Sequence, residues 1–332
     1  MSTLIGVLRK RFLAPSIASV GFAERGFPVT HTDATARLEA VPQAVVCGFE
    51  WAIEGASLWE IERRLALVEP EQRGFAYEGA TMGYTILDAM PGGGSDRTRA
   101  LLEGPGRPHI FLTYIGIGFA MARLPRPLWK NILPELTEEP YHPVMSWLAV
   151  DGYGFDRAYF DTGKWVGEQA EPVPYPWAGR PEYFPRAFDQ GVGRALWFMH
   201  GGKPDAVAAA VGRFAEHRRA DLWSGVGLAS TFAGGADQRE LVKLRRASGD
   251  YYDQLALGVV FAVKGRTYSG HVPAHTHLAA GVLTDLSVQG LQAVSDRTEA
   301  AESDDSGPLP QYELWRERIR TEFRPGARRA AG

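Results

Sequence analysis

The sequence predicts an all-α protein made of consecutive helical hairpins of about 35 residues. Three observations lead there. The pattern glycine, apolar, glycine, any residue, alanine occurs at 116–120, 191–195 and 225–229, with an imperfect copy at 152–156 and degenerate outer copies at 79–83 and 256–262. With Gly83, Gly118, Gly154, Gly193, Gly227 and Gly258 as markers, the steps are 35, 36, 39, 34 and 31 residues, the size of a helix-turn-helix repeat. Between the copies, apolar residues fall at helical rather than strand spacing.

Taken in order, residues 1–70 carry no clear copy, and the apolar run 44–53 predicts a packed helix in an N-terminal cap. Residues 71–295 form the repeat domain. An interior helical glycine costs ~1 kcal/mol relative to alanine, so its recurrence at one position is explained by backbones packing where a side chain would hold them apart. A phosphate-binding glycine loop is the competing reading, but the motifs run on into apolar helical stretches with no strand before them. Pro204 sits at a first helical position, and Val207, Val211 and Phe214 make an apolar stripe behind it. Tyr252, Leu255, Val259 and Ala262 make a second stripe, and Leu278, Val282 and Leu286 a third, started by Pro273. The pairs Gly234-Gly235 and Ser248-Gly249, and Gly265, are expected as breaks, while Pro125, Pro127 and the proline-rich run 171–177 mark lids or spacers. Residues 296–332 read as an acidic linker, a short amphipathic helix at 312–319 and a disordered basic tail ending Arg328-Arg329. The period is tetratricopeptide-like without that repeat's full consensus, and the array is expected as a solenoid or a partly closed α/α ring.

Composition narrows the function. The 332 residues carry 36 Lys+Arg and 39 Asp+Glu, a net charge of −3, which argues against nucleic acid as the main partner. No apolar run approaches the ~18 to 20 residues of a membrane span, and no secretory signal is recognisable, so a cytoplasmic location is expected. The single Cys47 excludes an intramolecular disulfide or a multi-cysteine metal site, and its apolar surroundings predict an inert buried thiol.

Five stretches, 22–27, 73–79, 151–155, 188–198 and 221–229, together resemble one family: the UnbL-type family of unknown function that accompanies enediyne polyketide synthases in actinobacterial gene clusters. The resemblance covers roughly residues 20–290 and implies a pathway, the assembly or maturation of an enediyne or related polyene product. It transfers no catalytic residues.

Acidic residues recur just before or within the glycine motifs: Glu78, Asp151, Asp156, Asp189, Asp221 and Asp253. One reading makes them first-turn residues stabilised by the helix dipole. The other places repeat-equivalent acids on one rim of the array, together with Tyr77, Tyr153, Trp197 and Trp223, as a groove for an extended apolar substrate. On that reading Glu78 and Asp189 are the catalytic carboxyl groups, Tyr77 and Tyr153 support them, and Asp151, Asp156, Arg194, Trp197, Asp221 and Trp223 bind substrate. Arg194 either pairs with Asp189 or another acid, or holds a carboxylate or thioester carbonyl of the ligand. His271, His275 and His277 form the one histidine cluster, but their spacing and the lack of a carboxylate among them argue against a metal. Asp304-Asp305 lies in the acidic tail and is a poor magnesium-diphosphate site.

No Gly-x-Ser-x-Gly elbow, Walker loop or His-Glu-x-x-His helix occurs. The expected function is therefore a cofactor-independent cyclase or isomerase acting on a polyene or polyketide intermediate. The alternative is a non-catalytic scaffold or chaperone that binds the polyketide synthase or its product.

Overall fold

The computed structural model describes residues 16–55, 57–90, 96–137, 139–300 and 307–324; the acidic pair Asp304-Asp305 and the basic tail lie outside them. The fold is all-α, with no strand among the described residues. No described helix is long and apolar enough to cross a membrane.

The chain divides into two compact units. The first takes residues 16–27 and Glu39–Asp156, and the second Pro28–Leu38 and the described residues from Arg157 on. These units cut across the three segments expected from the sequence. No boundary falls near residue 70, because the helices on either side of it pack directly on one another, and none falls near 295, because the last helix is part of the second unit's core.

In the first unit the long helices are α1 (Asp33–Ile53), most of which lies here, α3 (Pro70–Ala89), α5 (Ile110–Arg123) and α6 (Trp147–Phe160). Two short helices, α2 (Leu58–Ala66) and α4 (Arg97–Glu103), pack on each other and on α3. Local signals set their starts: Ser57 and Glu60 close a reciprocal capping box on α2, and Pro70 opens α3.

The glycines work in reciprocal pairs. A Cβ on Gly48 of α1 would lie 1.9 Å from the carbonyl oxygen of Ala76, and one on Gly79 of α3 would lie 1.8 Å from that of Val45. Gly118 of α5 and Gly152 of α6 meet the carbonyls of Ala149 and Ile115 in the same way, at 2.0 and 2.3 Å. Each glycine thus faces the carbonyl three residues before its partner glycine. That is the geometry of Cα–H···O contacts between helices at their closest approach, which a side chain abolishes.

The second unit repeats the device more regularly. Its helices are α7 (Phe184–Met199), α8 (Pro204–Arg213), α9 (Glu216–Phe232), α10 (Gln238–Ala247), α11 (Tyr252–Tyr268), α12 (Ala274–Thr284), α13 (Val288–Thr298) and α14 (Gln311–Phe323). One row is α7 on α9 on α11; the other is α8 on α10 on α12. Gly193 and Gly225 join α7 to α9 against the carbonyls of Leu222 and Gln190, both at 2.0 Å, and Gly227 and Gly258 join α9 to α11 against those of Leu255 and Ser224, both at 2.1 Å. Arg186 meets Asp221 near the starts of α7 and α9 while Trp197 in the last turn of α7 reaches Gly234 just past the end of α9, so the two run parallel, and α8 is the return limb of a hairpin. The turn after α9 needs φ values of +72 and +91 at Gly234 and Gly235, which explains that predicted break.

Three expectations need correction. Gly265 lies inside α11 and is no break. The buried face of α12 is Thr276, Ala279, Ala280 and Leu283, not the stripe Leu278, Val282 and Leu286, because the small residues allow the closer contact with α9 and α11. Cys47 is half-exposed, one helix position and thus about 100° round α1 from the Gly48 contact.

Candidate functional site

The second unit contains a buried polar network that begins with an Arg-x-x-Asp pattern on two neighbouring helices. Arg186 and Asp189 lie on α7, and Arg218 and Asp221 on α9. Arg218 donates to both carboxylate oxygens of Asp189, at 2.6 and 2.9 Å, while Arg186 donates to Asp221 at 2.9 Å, so the two helices strap each other. Asp253, in the first turn of α11, has Arg324 at 3.9 Å.

The last helix completes the network. Glu313 of α14 accepts from the Tyr183 hydroxyl at 2.5 Å, from Arg186 at 2.8 Å, from Arg316 at 2.9 Å and from Arg320 at 2.8 Å. Arg316 also reaches Asp221 at 3.0 Å and the Ser224 hydroxyl at 3.1 Å. Gln190 ties the two sides together: its amide nitrogen donates to Asp221 at 3.1 Å, and its carbonyl oxygen accepts from the Tyr312 hydroxyl at 3.0 Å. These groups are buried except for Arg186, whose side chain is 39% exposed and is the network's link to solvent.

The electrostatics separate the acids. Burial pushes Glu313 up, but Arg316, Arg320 and Arg186 with the Tyr183 hydroxyl outweigh it and hold the carboxyl at about 2. Burial likewise pushes Asp189 up, to about 6, against the pull of Arg218. Burial holds Tyr183 protonated, its hydroxyl raised well above its ordinary value. Glu313 is therefore a permanent anion at neutral pH. Asp189 keeps a titration near neutrality, but both its oxygens are engaged by one guanidinium.

The other predicted residues fall as follows. Trp197 donates its indole N–H to the Gly234 carbonyl at 2.8 Å, a tie between turn and helix, and Trp223 is buried on α9. Arg194 is buried on α7; the arginine that pairs with Asp189 is Arg218. In the first unit Glu78 is 3% exposed in the middle of α3, and Tyr77 stacks on His109 with centroids 4.6 Å apart. Burial pushes the Tyr77 hydroxyl up to about 12. Asp151 is buried on α6, Asp156 pairs with Arg123 at 2.8 Å, and Tyr153 meets Trp129 edge-on. In the second unit the structure brings Asp189 together with Arg218, and Asp221 with Arg186 and Arg316; in the first it brings Asp156 together with Arg123. His275 lies 3.1 Å from the Phe232 carbonyl oxygen, and no cluster of metal-ligating side chains occurs among the described residues.

Reading the sequence missed Arg186, Arg218, Glu313, Arg316 and Arg320. The repeated Arg-x-x-Asp was visible, and so was the spacing of four between Arg316, Arg320 and Arg324. A second omission is the Tyr114 hydroxyl, which lies 2.9 Å from Nδ1 of His142; burial keeps that imidazole below its ordinary value and so neutral.

No curated protein and no solved structure matches the chain. Residues 4–323 match the model of a family described as a protein of unknown function, DUF1702. The match runs through α14, so the Glu313–Arg316–Arg320 helix is included in it, and the chain belongs to that family.

Proposed function

We propose that the protein is an accessory factor of enediyne or related polyene biosynthesis that acts as a cofactor-independent cyclase or isomerase on a polyene intermediate. The pathway rests on the resemblance of the five sequence stretches. The observation that carries the chemistry is the placement of Glu78. Its carboxyl group is buried in a helix whose backbone is pinned on both sides, Gly79 against the Val45 carbonyl and Gly116 against the carbonyl of Glu78 itself. A catalytic carboxyl needs such fixed placement, and positioned proton transfer contributes typically 10²- to 10⁴-fold. Asp189, engaged by Arg218 through both oxygens, becomes a structural acid in this reading.

The test compares metabolites from strains carrying Glu78→Gln, Asp189→Asn or a clean deletion, at matched protein levels. Deletion should stop product formation, Glu78→Gln should lower it by about 100-fold or more, and Asp189→Asn should leave it intact. If deletion stops the product and both variants keep it, the carboxylate mechanism is wrong. The scaffold reading then replaces it. If deletion changes nothing, the pathway assignment fails.

A further inference from the structure

The first unit holds a cavity of about 520 Å³ where the end of α3, the start of α4 and the turn that follows α5 come together. That volume is within the ~300 to 1,000 Å³ of small-molecule sites. Glu78 is not in its lining. The turn, Arg126–Asn131, is held by its one buried residue: Trp129 is 3% exposed and donates its indole N–H to the carbonyls of Met121 and Leu124, both at 3.1 Å. With Trp129 fixed inward, its neighbours Leu128 and Lys130 line the cavity, and the exposed Leu128 forms an apolar wall with Ile132 and Pro134.

The floor is polar and has a direction. Asp88 accepts from Arg97 at 3.0 Å, and from the backbone N–H and the hydroxyl of Thr98 at 2.8 and 2.9 Å. With its proton on Asp88, the Thr98 hydroxyl can only accept from that of Thr85, 3.3 Å away. Both hydroxyl protons are thus engaged, and Thr85 and Asp88 offer the cavity acceptor oxygens alone. They suit a ligand hydroxyl. An anion would meet lone pairs there, and an ammonium would find the Asp88 charge already neutralised by Arg97. The rim is the reverse. Of the charged residues in the lining, Asp88 is paired with Arg97 and Asp96 with Arg99, which leaves Lys130 with no acid partner among the described residues. Asn131 beside it adds an amide donor. One unbalanced ammonium suits a singly charged anion.

We propose that this cavity binds a hydroxylated carboxylic acid, with the carboxylate on Lys130 and Asn131, the apolar segment along Leu128, Ile132 and Pro134, and the hydroxyl donating to Thr85 or Asp88. The site depends neither on the pathway nor on Glu78.

The experiment titrates 10-hydroxydecanoate into the full-length protein by calorimetry, beside decanoate, 1,10-decanediol and 10-aminodecan-1-ol, and repeats the series with Lys130→Glu, Lys130→Arg and Thr85→Val. Wild type should bind 10-hydroxydecanoate about fivefold or more tightly than decanoate or the diol, and about tenfold or more tightly than the amino alcohol. Lys130→Glu should weaken binding by about tenfold or more with unchanged circular dichroism, and Lys130→Arg should stay within about threefold of wild type. Thr85→Val should abolish the preference over decanoate while leaving decanoate binding as it was, a change that loosened packing alone would not produce. No binding by wild type, equal binding by Lys130→Glu, or equal binding of the amino alcohol overturns the site, and equal binding of decanoate by wild type overturns the ligand class. Lys130 is exposed, so its variants decide the matter even if Thr85→Val does not fold.

Discussion

Gly227→Ala is expected to destabilise the second unit by about 3 kcal/mol or more, although alanine is the better helix former by ~1 kcal/mol. The new methyl would sit 2.1 Å from the Leu255 carbonyl oxygen, a backbone atom that no side-chain rotation can move. Relief requires α9 and α11 to separate, which also breaks the reciprocal contact of Gly258 with Ser224 and loosens packing along both helices. The internal comparison is Gly281→Ala on α12, where an added methyl meets nothing within 4 Å. That change should stabilise by about 0.5 to 1 kcal/mol. Urea denaturation of both variants decides the matter: equal midpoints would mean that helix contact is not what the recurrent glycines serve.

Glu313→Ala should cost about 3 to 5 kcal/mol, because it leaves Arg316, Arg320 and Arg186 buried or half-buried around one remaining acid, Asp221. The same residue sets an acid limb of stability. Its folded carboxyl sits at about 2 against an ordinary 4.5, so its contribution is complete above pH 4.5 and is lost as pH falls towards 2. That difference corresponds to about 3 kcal/mol. Asp189 has the opposite sign. Raised from 3.8 to about 6, it binds its proton more tightly when folded, so its contribution is greatest below pH 3.8 and declines as pH rises through 6. Melting profiles from pH 7 to 3 should therefore show Glu313→Gln flattening the acid loss. An unchanged acid limb in that variant would remove Glu313 from this role.

Much of the architecture was legible because it is encoded locally. The glycine spacing marked the helix contacts, Pro204 marked the start of α8, and Gly234-Gly235 marked a turn. The buried face of α12 was not legible, since Thr276, Ala279 and Ala280 carry little hydrophobic signal and are buried for their size. The site was harder still. Asp189 and Asp221 stood out as recurrent acids, but their arginine partners come from neighbouring helices and from α14, and no periodicity in one segment reports a contact with another. The segment after residue 295 looked like an appendage because its acidic stretch is polar, while the helix beyond it hides a core face of Tyr312, Trp315, Ile319 and Phe323 among charges that are themselves buried.

The network also predicts an order of folding. The glycine rows join neighbours about thirty residues apart, whereas Tyr183 to Glu313, Arg186 to Glu313 and Gln190 to Tyr312 span 130, 127 and 122 residues. Rapid steps close short loops, and long closures come after the intervening chain has condensed. Pulsed hydrogen exchange during refolding should find amides of α9 protected before those of α14, and simultaneous protection would refute the sequence of steps. On that order α14 brings the second of the two arginines on Asp221 and the acceptor of the Tyr183 hydroxyl, so the last helix to dock completes the buried network.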